Sequence, residues 1–199
     1  MGFAKRLAVL VLAFVLCGTA GAAVAAPKLL LSGNQLAGAK NVMVGGTAYD
    51  VTFEDGTCFG LFSGCVNSAF AFNTYAQADA ASHALADQVF KNVDLGNFDT
   101  LPGLTTGCTS GLSCRVLTFY KSSGSSAYYA SVDNDPGIGS TFKTPEGFSV
   151  PNGYSAGTAM TVAVWRVSPT PEPETYAMLL AGLGLMGAAV KRRKKAGAV

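Results

Sequence analysis

Residues Thr74–Val93 read TYAQADAASHALADQVFKNV, and this stretch decides the fold class. Tyr75, Ala78, Ala81, Ser82, Leu85, Ala86 and Val89 recur at helical spacing and fall on one arc, while Asp79, His83, Asp87 and Lys91 fall opposite. Thr74 is placed to cap the first turn with its hydroxyl, and Gln77 three residues later completes a capping box. Gly96 is the expected stop. This is the one clear helical pattern between residues 26 and 170, so the neighbouring segments decide the rest.

Those neighbours alternate with period two. Val42–Phe53 (VMVGGTAYDVTF) holds two short apolar runs around Gly45-Gly46, the pattern of a hairpin or bulge. Arg115–Tyr120, Ala127–Val132 and Thr158–Val167 also read as strands. In the last, TAMTVAVWRV, Met160, Val162, Val164 and Arg166 share one face and Ala159, Thr161, Ala163, Trp165 and Val167 the other. Apolar residues on both faces suit a central strand, with Trp165 as its core anchor. Gly, Ser, Pro and Asn crowd residues 121–157, where long surface loops are expected. The expected architecture is α+β, an antiparallel sheet with one main helix packed on it.

Charge is distributed unevenly. Residues 26–171 carry seven bases against ten acids, a balance of −3, although the whole chain is +2. The excess of base lies at the two ends, so the body lacks the basic patch that nucleic-acid binding needs. At the first end, Lys5 and Arg6 precede the apolar run Leu7–Leu16 and then small residues through Ala26. This is the layout of a secretory signal peptide over 1–25, with Ala23-Val24-Ala25 setting cleavage between Ala25 and Ala26. The secretion translocon and signal peptidase are the partners it implies.

Loss of that segment removes Cys17 and leaves Cys58, Cys65, Cys108 and Cys114. An even count in an exported chain reads as disulfides. Three connectivities are open, and the short Gly-containing intervals favour local pairing, 58–65 and 108–114. A four-cysteine zinc site would use tighter knuckles than either interval.

At the other end, Pro171-Glu172-Pro173-Glu174-Thr175 precedes the uncharged stretch Tyr176–Val190, and Lys191, Arg192, Arg193, Lys194 and Lys195 follow. Snorkelling of the flanking stems would extend the 176–190 stretch to the length of a transmembrane helix, with the basic cluster on the cytoplasmic side. These three parts in this order resemble the PEP-CTERM sorting signal, a tail also labelled an ice-binding-protein C-terminal motif. The resemblance covers about 25 residues of the chain. It implies a Gram-negative source, recognition by an exosortase, transient insertion in the inner membrane and removal of the helix near Pro171–Glu174. The cell surface or extracellular matrix is the implied destination, and exopolysaccharide the implied neighbour. The organisation expected is thus a signal peptide (1–25), a secreted ectodomain (26–170) and a sorting signal (171–199).

The body carries little that reads as chemistry. His83 is the one histidine, set four residues from Asp79 and Asp87 as in a solvated helix face. Within residues 26–170 no nucleophile elbow, phosphate loop or dinucleotide fingerprint occurs. Asp133-Asn134-Asp135-Pro136-Gly137 resembles half of a calcium loop, which makes Asp133 and Asp135 a weak cation candidate beside the plain reading as a turn. Tyr120, Tyr128, Tyr129 and Tyr154 could stack on sugar rings or simply fill strands. No cofactor is expected. The expectation is a non-enzymatic surface or matrix protein contacting exopolysaccharide. The alternatives are a secreted polysaccharide hydrolase with a carboxylate pair and a calcium-dependent binding module.

Overall fold

Each alternating run pairs with a neighbour whose apolar residues face the same way, and the result is one large sheet. The structure is a computed structural model that describes residues 26–136, 145–155, 157–169 and 179–184. The expected signal peptide (residues 1–25), Pro171–Glu174 and Lys191–Lys195 lie outside the described residues.

Among the described residues the sheet has seven strands: β1 (Lys28–Ser32), β2 (Gln35–Val44), β3 (Thr47–Glu54), β6 (Cys114–Ser123), β7 (Ser126–Asn134), β8 (Ser149–Pro151) and β9 (Met160–Val167). Their spatial order is β1-β2-β3-β9-β6-β7-β8, so the last strand in sequence is the central one. A separate two-stranded hairpin joins β4 (Asn92–Val93) to β5 (Gly96–Asn97). The β2–β3 turn falls at Gly45-Gly46, as the sequence implies.

The expectation of a wholly antiparallel sheet needs correction. β9 pairs antiparallel with β3 but parallel with β6, in the register Arg115↔Met160, Val116↔Thr161 and Leu117↔Val162. The chain returns from Pro151 at the β8 edge and enters the centre in the same sense as β6. A strand buried on both faces has the same residue pattern in either sense, so periodicity could not distinguish them. Within the supposed loop region, Gly124 and Ser125 turn a tight hairpin between β6 and β7, and β8 adds a short edge.

The long helix runs Tyr75–Gln88. Thr74 Oγ1 accepts from the Gln77 N–H at 3.3 Å, and Gln77 Oε1 accepts from the Asn73 N–H at 3.1 Å, so the capping box closes one residue further out than its simplest form. Ala78, Ala81, Ser82, Ala84 and Leu85 are buried against β2, β6 and β7. Gly96 is not the stop. The helix ends with Val89 and Phe90 both donating to the Leu85 carbonyl, and Gly96 instead opens β5, paired with Val93 and packed against the Phe98 ring. A Cβ there would come within 2.5 Å of that ring.

The sheet has a core on each face. The helix face gathers Val42, Val51, Phe53, Phe72, Val116 and Trp165 with the helix. On the opposite face Leu117, Phe119, Tyr129 and Val162 pack under Phe62, Phe70 and the Cys58–Cys65 bridge. Phe62, Phe70 and Phe119 meet at centroid distances of 5.1, 5.8 and 6.3 Å. Residues 179–184, described by themselves, are helical and exposed. Among the described residues no helix is long and apolar enough to cross a membrane, and most of the expected 176–190 span lies outside them.

Candidate functional site

Both local disulfides form, with sulfurs 1.95 Å apart in Cys58–Cys65 and 2.02 Å apart in Cys108–Cys114. All four cysteines are buried. The first bridge pins the strap that covers the second core, helped by Thr57, whose Oγ1 accepts from the Gly60 N–H at 3.0 Å. The second holds the turn before β6.

The structure does not unite the sequence-predicted tyrosines into one platform. Tyr120 lies on the helix face, 6.0 Å from Tyr75 and 6.5 Å from Tyr128, and the Lys121 ammonium sits 5.3 Å above the Tyr128 ring. Tyr129 points to the other face and packs on Phe119. Tyr154 is exposed beside Met160. Burial raises the Tyr120 and Tyr129 pKa values above the ordinary phenol. Tyr75 is pushed up to about 12, first by its partial burial and then by Asp79, whose Oδ1 accepts from the Tyr75 hydroxyl at 3.2 Å.

Asp79 also binds His83, but through its backbone. The Nδ1–H donates to the Asp79 carbonyl oxygen at 2.8 Å, while the Asp79 carboxylate stands 3.7 Å away. The imidazole is thereby tied to its own helical turn.

Of the calcium candidates Asp133 and Asp135, the first is held by an arginine. Arg115 Nε and Nη2 donate to Asp133 Oδ1 at 2.6 Å and Oδ2 at 2.7 Å, across the β6–β7 pair. A guanidinium fork already occupies both carboxylate oxygens, and its charge repels a second cation. Among the described residues no group of three or more His, Cys, Asp or Glu side chains is arranged to hold a metal.

The feature that sequence reading missed is a cleft of about 330 Å³ between the β2–β3 turn and the first turns of the long helix. Val44, Thr47, Tyr49, Phe72, Gln77 and Ala80 are among its lining residues. Tyr49 and Phe72 stand 5.1 Å apart, and Trp165 braces both from behind at 6.2 and 5.6 Å. Apolar walls with a hydroxyl and an amide at the rim suit an uncharged polar ligand. No sequence signal marks it, because its walls come from two separated segments, residues 44–49 and 71–80.

Comparisons with the curated proteins and with the solved structures gave no match. A family model does match the other end of the chain, on the Pro-Glu-Pro segment, the apolar stretch and the basic cluster. Over residues 169–194 the protein carries a PEP-CTERM protein-sorting motif.

Proposed function

We propose that this is an exported, exosortase-processed protein whose body acts without catalysis at the cell surface or in the extracellular matrix, in contact with exopolysaccharide. The sorting motif over 169–194 carries the reading. The exosortase is its processing partner, and residues 176–190 hold the precursor transiently in the inner membrane, with Lys191–Lys195 on the cytoplasmic side. The helical turns at 179–184 support that span. Two buried disulfides fit an oxidising destination. The histidine bound to the Asp79 carbonyl and the Asp133 carboxylate held by Arg115 support a body that binds and does not turn over substrate. The cleft lined by Tyr49 and Phe72 offers a wall on which an uncharged sugar ring can stack.

Two measurements test the two halves of the reading. The intact mass of the secreted form should lack residues 176–199 and the signal peptide. A mass that retains the tail rejects exosortase processing. Co-sedimentation of the secreted form with exopolysaccharide isolated from the producing bacterium should retain the protein in the pellet. Protein that stays in the supernatant at every salt concentration rejects the polysaccharide contact. Release of reducing ends, lost on substitution of one acidic residue, would replace this reading with a hydrolase.

A further inference from the structure

The strand order contains a consequence for how export and folding are coupled. β9 occupies the middle of the sheet, yet it follows every other strand among the described residues and immediately precedes the sorting motif. Without it the body is two separate ladders, β1-β2-β3 and β6-β7-β8, each with an open edge. β9 joins them through pairs from Tyr49↔Val167 to Glu54↔Val162 on one side and from Arg115↔Met160 to Leu117↔Val162 on the other.

Its side chains also link both halves. Trp165 packs on Tyr49 and Phe72 and donates its indole N–H to Thr118 of β6. Thr161 Oγ1 donates to the Glu54 carbonyl at 3.2 Å, and the Thr158 carbonyl accepts from the Thr109 and Ser110 N–H groups. Thr161, Val162 and Ala163 are buried. This is an interior strand whose absence exposes two ladders of unpaired backbone groups and a slot in the helix-face core.

We infer that β9 is a late-closing strand: the sheet is completed only when residues 160–167 have crossed the membrane, just as the sorting segment enters it. The inference rests on the sorting reading above. Eight residues, 168–175, separate β9 from the apolar stretch, and they span at most about 29 Å when fully extended. β9 therefore clears the membrane as Tyr176 reaches it. Ser168 is buried at the end of β9, and only Pro169 and Thr170 stand between it and Pro171. Cleavage near Pro171–Glu174 after closure releases a completed sheet. Cleavage before closure would release two aggregation-prone edges. The membrane segment thus serves as a tether during the last folding step as well as a sorting address.

The test uses the full precursor, exported in a host with an exosortase and in one without it. In one variant an eight-residue Gly-Ser segment of equal length replaces residues 160–167. Protease digestion of its body should be at least about tenfold faster than that of the natural chain. A synthetic peptide of residues 158–169, added from outside, should restore resistance, while a scrambled peptide should not. A variant as resistant as the natural chain, or one the peptide cannot rescue, overturns the inference. In pulse-chase, resistance should appear no later than loss of the tail, and in the host without exosortase it should appear with the tail still attached. Tail loss before resistance overturns the proposed order. If no host removes the tail, the sorting reading fails while the digestion and rescue arms still report on closure.

Discussion

Trp165 Nε1–H donates to Thr118 Oγ1 at 3.3 Å, a hydrogen bond from the central strand to its parallel neighbour. The same Thr118 oxygen accepts from Ser82 Oγ on the long helix at 3.4 Å. One buried hydroxyl thus ties the sheet centre to the helix that covers it.

Replacing Trp165 tests that junction. Trp165→Ala should destabilise the body by about 3–5 kcal/mol through the cavity beside Tyr49 and Phe72. Trp165→Phe keeps most of the volume but loses the donor, so about 1–2 kcal/mol is expected. Denaturant midpoints for the two variants give the comparison. Equal losses would mean that the hydrogen bond, and not the ring, holds the junction.

The Arg115–Asp133 fork should matter more when half of it is removed than when all of it is. Arg115→Met leaves a largely buried carboxylate without its two donors and should cost about 2–3 kcal/mol. The double variant Arg115→Met with Asp133→Leu should recover part of that loss in a double-mutant cycle. Additive losses would show that the two side chains act independently.

Alkaline pH should unfold the body partly through Tyr75. Its folded pKa of about 12 lies above the ordinary phenol value of 10.0, so the folded state holds the proton more tightly. That contribution is intact below pH 10 and is lost as pH rises toward 12. Tyr75→Phe should flatten the fall in stability across this window. Absorbance titration should also place Tyr120 and Tyr129 above the ordinary range, since burial raises both. A Tyr75→Phe variant with an unchanged slope would remove Tyr75 from the account.

Gly38 should tolerate no side chain. It sits at the bulge in β2, with φ of 155°, and an added Cβ would come within 2.1 Å of the Val51 carbonyl oxygen. Gly38→Ala should therefore cost about 3 kcal/mol or more, because backbone of β3 must move to admit it. Gly33→Ala, at an open turn, is the control and should cost about 1 kcal/mol from its positive φ alone. Comparable thermal midpoints for the two variants would contradict the packing argument.

Each disulfide should contribute about 2–3 kcal/mol by closing a short loop. Cys58→Ala with Cys65→Ala should loosen the strap over Phe119 and Tyr129 while sparing the helix face. Hydrogen exchange resolved along the chain reads this directly. Loss of protection at Leu85 and Val116 as well would show that the two cores unfold together.

Several of these features were readable in one dimension. The arc from Tyr75 to Val89, with Thr74 and Gln77 at its head, is a short-range pattern, and short-range patterns survive in the sequence. The same holds for the Gly45-Gly46 turn and for the two disulfide loops, whose partners lie seven and six residues apart. The sorting tail is linear by nature, because its Pro-Glu-Pro segment, apolar stretch and basic cluster lie in order along the chain.

The long-range arrangement required the tertiary structure. Residue pattern identified β9 as a buried strand, but its place between β3 and β6, and its parallel sense beside β6, depend on partners more than 35 residues away. The two faces of a buried strand look alike from the sequence, so nothing local specifies which neighbour it takes or in which direction. The same applies to Asp133, which reads in sequence as part of a calcium-like run or turn but stands opposite Arg115 in the sheet. Sequence alone determined the route of this chain and its local elements, because those depend on residues close together along it. Tertiary structure decided which strand completes the sheet and which charges meet, because those depend on contacts that only the closed sheet creates.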